Sequence, residues 1–99
     1  MSEKETTTNK LDFTQLEDRL AELTAKAFMK AERECRMAAD PATDITYSSA
    51  FRAKLAAAAM GVPQAEINAL PIQEYTFVVA RVLNFLLKPL AETVIRQEN

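Results

Sequence analysis

From Phe13 onward, apolar side chains return at steps of three and four: Phe13, Leu16, Leu20, Leu23, Ala27, Ala31, Cys35 and Ala38. That period lines them along one face of an α-helix over residues 13–39, with charged residues on the other face. Glu22 with Lys26, and Glu32 with Arg36, stand at i,i+4 in the favourable order. Two residues can cap the start. Asp12 is supported by Gln15 and a Leu11 to Leu16 staple, and Thr14 by Glu17 in a capping box. Asp40-Pro41 ends the helix, because the residue before proline is pushed out of the α region.

After a loop at 40–46, a second helix over 44–60 starts from Thr43, Asp44 or Thr46 and carries Tyr47, Phe51, Leu55 and Ala58 or Ala59 at helical spacing. Gly61 followed by Val62 and Pro63 forms a stop, since glycine takes the left-handed conformation without a Cβ penalty. Pro63 opens a short helical turn at 64–69, and Leu70-Pro71 breaks the chain again. Pro71 at the first helical position then begins the most apolar element, over 72–88. Pro89 kinks or ends it, and a final helix over 90–97 can follow.

Within 72–88, Ile72, Tyr75, Val79, Val82 and Leu86 form one stripe. Phe77, Val78, Leu83, Phe85 and Leu87 widen it, leaving Gln73, Thr76, Arg81, Asn84 and Lys88 as the polar face. Such a helix is either the centre of a bundle or an interface. Phe13, Phe28, Tyr47 and Phe51 are available to cover it, and a partner takes what they leave. The face of Ile72, Tyr75, Val79, Val82, Leu83 and Leu86 is therefore the candidate partner-binding surface. Arg81 and Asn84 either face solvent, the reading preferred here, or mark a pairing surface. Tyr75 to Val79 would also suit a strand, but no second strand is legible and the helical period runs on to Leu86.

Composition agrees with an all-α bundle of three to four main helices: one glycine and four prolines among 99 residues leave little for a turn-rich β fold. Residues 1–10 have no large apolar side chain beyond the initiator methionine and read as a disordered tail, so the single helical domain occupies 11–99. A net charge of −2, with 12 basic and 14 acidic residues and no basic stripe, argues against a nucleic-acid partner. The run from Phe77 to Leu87 is interrupted by Arg81 and Asn84 and is too short to span a bilayer. With one cysteine and no signal-like start, a cytoplasmic protein is expected.

Catalytic chemistry finds little material. The chain has no histidine, the commonest acid/base group near neutral pH, so most hydrolase and transferase constellations and most metal sites lose a member. Asp18 with Glu22 could pair carboxylates on one helical face, but charges on a long helix are ordinarily solvated surface. Cys35 sits on the apolar stripe, where a small buried hydrophobe is the simpler reading than a reactive thiol. Gly61 stands alone, without a phosphate-binding loop around it. No catalytic residue, metal or cofactor is expected. Ala-rich helices also approach closely, which leaves little room for a small molecule.

The stretch from Leu55 through Gly61, Pro63, Ile67, Leu70 and Pro71 to Tyr75, followed by Val79 to Leu87 with Phe85, resembles the C-terminal part of phage tail-assembly chaperones from Mu-like and related contractile-tailed phages. What they share is a small-residue helix, a Gly-apolar-Pro turn, an acidic-Ile step, a Leu-Pro-apolar-x-acidic-Tyr junction, and an apolar helix ending in Phe-Leu. The resemblance implies a small, mostly helical protein that binds the tape-measure protein, or the tail-tube assembly intermediate, and keeps its long apolar helices from aggregating until tube subunits polymerise. It implies no active site. These chaperones often begin with a short β-rich segment, where residues 12–39 of this chain read as helix. The other expectation is a homodimer closed by the same apolar face, as two-fold interfaces commonly are.

Overall fold

A computed structural model describes residues 11–88, which form an all-α domain without a strand among the described residues. The tail at 1–10 and the helix expected at 90–97, with the effect of Pro89, lie outside the described residues.

The expected helix over 13–39 is two helices, α1 (Leu16–Ala21) and α2 (Ala25–Met37). Glu22 and Leu23 close α1 with tightened bonds to the carbonyls of Arg19 and Leu20, and Thr24 is extended at φ −101°, ψ 169°. Packing explains the break. A straight helix over 13–39 would run about 40 Å at 1.5 Å per residue, far beyond the 12-residue helix it packs on. Breaking at the β-branched Thr24 keeps both halves on the core: Leu16 and Leu20 of α1 are buried, as are Ala31 and Cys35 of α2. Glu22 and Lys26 consequently fall on opposite sides of the break. The start also differs from both proposed caps: Asp12 Oδ1 accepts from the Thr14 N–H at 3.0 Å and hydroxyl at 2.7 Å, which makes a turn, and Gln15 is the capping position.

Past α2, Ala39 takes the left-handed conformation at φ +66°. The Asp40 N–H bonds to the Cys35 carbonyl at 3.0 Å and the Ala39 N–H to that of Arg36 at 2.9 Å, so the helix ends in a Schellman motif before Pro41 acts. Arg36 reaches over this end, its Nη1 donating to the carbonyls of Asp40 and Ala42 at 3.0 and 2.6 Å, rather than pairing along the helix with Glu32. One 3₁₀ turn (Ile45–Tyr47) follows, capped by Asp44, whose Oδ1 accepts from the Thr46 N–H at 3.0 Å. The main helix α3 (Ser49–Met60) then starts from Ser48, whose Oγ accepts from the Phe51 N–H at 3.2 Å. The Ser48 hydroxyl in turn donates to Asp40 Oδ2, which ties the loop to the cap.

α3 is the centre of the domain, packing against α1, α2, the 3₁₀ turn, α4 and α5. That role was expected as one of two possibilities for the 72–88 helix. The reason is the alanines: Ala53, Ala56, Ala57 and Ala59 are buried around most of the helix, so neighbours can approach from several sides. Phe51, fully buried, meets the Phe28 ring edge-to-face with centroids 4.8 Å apart. Gly61, at φ +71°, ends α3 as expected, with Val62 and Gly61 donating to the carbonyls of Ala57 and Ala58.

α4 (Gln64–Asn68) and α5 (Ile72–Leu87) follow, each with a proline as the capping residue rather than the first helical one. Lys54 fastens α4 and α2 to the centre, with its Nζ 2.8 Å from Gln64 Oε1 and 3.4 Å from Glu34 Oε1. Arg52 fastens α5, donating from Nη1 to the Val79 carbonyl at 3.0 Å.

Candidate functional site

The break between α1 and α2 opens an apolar cleft of about 300 Å³. Leu20 and Leu23 form one wall, Phe28 and Met29 the second, and Phe85 and Leu86 of α5 the third, with Leu55 of α3 at the floor. Thr24, at the break itself, is the only polar side chain in the lining among the described residues. The expectation that Ala-rich helices leave little room is thus corrected. It holds around α3, whereas the cleft lies where α1 turns away before α2 begins. Met29 is 54% exposed at the rim, and its unbranched thioether suits it to ligands of varied shape.

The candidate surface read from the 72–88 helix is dispersed. Val79 and Val82 are buried in the core, packed beneath the rest of the helix, and present no surface. Leu83 is half-buried. Leu86 alone of the six lines the cleft. Ile72 is 77% exposed and Tyr75 half-buried at the other end of α5, where they join Asn68 and Leu70 around a shallower hollow of about 340 Å³. The Tyr75 hydroxyl lies 3.5 Å from the Ser49 carbonyl. Leu20, Leu23, Phe28, Met29 and Phe85 were missed as lining residues. Two signals pointed to them: a β-branched capping residue at Thr24 within a helical run, and Phe28-Met29 lying beside rather than on the Ala27 to Ala31 stripe.

Beside the cleft, Arg81 is not turned to solvent as expected. Its guanidinium donates to Glu17 Oε2 from Nε at 2.8 Å, to Glu17 Oε1 from Nη2 at 2.5 Å, and to the Phe13 carbonyl at 2.8 Å. The bidentate pair lowers the pKa of the Glu17 carboxyl and raises that of the Arg81 guanidinium. Its part is to lock α1 onto α5. Asn84 is exposed. Cys35 is buried, and desolvation raises its thiol pKa, the opposite of what an attacking thiolate needs.

Among the described residues no group of three or more His, Cys, Asp or Glu could hold a metal ion, and no helix is long and apolar enough to cross a membrane. Compared with family models, curated proteins and solved structures, the chain shows no match.

Proposed function

We propose that this chain is a protein-binding helical domain without chemistry of its own, acting in the cytoplasm of a bacterial host as a phage or prophage tail-assembly chaperone. Its client is the tape-measure protein, whose long apolar helices need shielding until tube subunits polymerise around them. The observation that carries this reading is the cleft at the α1/α2 break, walled by apolar side chains from three helices with one threonine among them. A cleft of about 300 Å³ is at the small end of ligand sites and accepts the anchors of a helix laid across it, spaced at i, i+3 and i+4. The resemblance of residues 55–87 to tail-assembly chaperones supplies the identity of the client. The lining suits brief, reversible shielding, because Met29 and Leu23 can repack around different apolar side chains.

The test is co-expression with the long reading frame expected directly downstream of this gene. The tape-measure product should stay soluble with the wild-type chain and precipitate with Met29→Glu combined with Leu86→Glu. A product equally soluble with the groove variant, or soluble alone, defeats the proposal.

A further inference from the structure

α5 carries a second periodic stripe, on the side away from the core. Gln73, Phe77, Ala80, Asn84 and Leu87 follow one another at steps of four, three, four and three, the a/d spacing of a helix that pairs with another helix. All five are exposed, with Phe77 at 62% and Leu87 at 51%. No residue of the stripe is charged, in a chain of which 26% is charged. The edge beside it carries Glu74, Arg81 and Lys88, one heptad apart.

We infer that this outer face of α5 pairs with the same face of a second copy of the chain, in antiparallel orientation. The charges select both the occupant and the direction. Glu74 lies in the first turn and Lys88 just past the last, both exposed on one edge. A two-fold axis across the helix brings each carboxylate to the other copy's ammonium, twice per dimer, and opposes the helix dipoles favourably. A parallel pair would instead set this edge against the opposite one, where Thr76 and Leu83 stand, and leave both charges unpaired. Arg81, between them, does not disturb the axis, because Glu17 of its own chain neutralises it and its guanidinium lies 5.6 Å over the Phe77 ring.

In this register Phe77 packs on the second copy's Leu87, and the small Ala80 receives the second copy's Asn84. A polar residue at such a position fixes register at some cost in affinity. One helix pair buries less than a standard interface, so the dimer is a reversible one in the micromolar range. It leaves the cleft open, since Phe85 and Leu86 face away from the stripe, and gives a two-fold particle with two clefts.

Sedimentation velocity from low micromolar to near millimolar concentration tests the inference, with circular dichroism confirming that each variant keeps its helix content. The wild-type chain should pass from monomer to dimer. Phe77→Glu with Leu87→Glu should remain monomeric. Glu74→Lys alone and Lys88→Glu alone should each weaken the dimer about tenfold, and the two together should restore it. A wild-type monomer at every concentration, a dimer indifferent to Phe77→Glu with Leu87→Glu, or a double charge swap no better than either single one would overturn it.

Discussion

Arg81 and Glu17, 64 residues apart in the chain, are joined by two parallel hydrogen bonds that clamp α1 to α5. Because the fold holds the Glu17 carboxyl below its ordinary value of 4.5, the pair contributes stability that is fully present above that value and is lost as pH falls through the lower folded pKa. Glu17 is 45% exposed, so solvent screening limits the contribution to about 1 kcal/mol. Glu17→Gln should therefore unfold earlier in urea at pH 7, and the gap to wild type should close as the pH is taken below 4.5 and through the lower folded pKa. A gap independent of pH would remove the ion pair from the account.

Two helices end in the same Schellman geometry, one with Gly61 at φ +71° and one with Ala39 at φ +66°. Only the alanine is strained by its Cβ. Ala39→Gly should raise stability by about 1 kcal/mol, the relief of left-handed strain less the entropy a glycine adds to the unfolded chain. Gly61→Ala should lower it by a similar amount, and through the backbone alone, since a Cβ there meets nothing within 4 Å. Equilibrium denaturation of the two variants reads both signs.

The stripe read along 72–88 divides into residues that hold the fold and residues that do not. Val82 is fully buried, so Val82→Ala should cost about 2 kcal/mol through lost contacts and a residual cavity. Ile72, 77% exposed, should change stability by less than about 0.5 kcal/mol when made alanine. Thermal melts of the two proteins separate these outcomes, and equal losses would contradict the burial pattern.

Ser48→Ala should cost about 1 kcal/mol, since the hydroxyl both caps α3 at the Phe51 N–H and anchors Asp40. The bond from the Ser48 hydroxyl, with a second from the Ala42 N–H, holds the Asp40 carboxyl below its ordinary range. Titration of Asp40 followed by NMR should show that depression in the wild-type chain, and a shift back upward in Ser48→Ala.

Much of this fold was legible because its punctuation is chemical: Gly61 ends α3, and Pro63 and Pro71 open α4 and α5, within a residue of where sequence puts them, whereas the helix expected from residue 44 begins only at Ser49, because Ser48 caps it and residues 45–47 form a separate 3₁₀ turn. What sequence hid was tertiary. The period from Phe13 to Ala38 runs through Thr24 without interruption, because two helices lying on one core bury the same face whether or not they are continuous. Alanines in 53–59 read as weak hydrophobes, yet their small size is what makes α3 the hub. The cleft follows from the break, so it was hidden with it. On α5, hydrophobicity alone merged the buried stripe through Val78 and Val82 with the exposed one through Phe77 and Leu87, and only packing separates them.

The central claim is that the cleft between the α1/α2 break and α5 receives an apolar helix. The most direct measurement is a titration of the labelled chain with a peptide from an apolar helix of the tape-measure protein, followed by NMR. Shifts concentrated at Leu23, Met29 and Leu86, and an affinity reduced more than about tenfold by Met29→Glu, are the predicted result. Shifts confined to Phe77, Ala80 and Leu87, or an affinity unchanged by Met29→Glu, would contradict it.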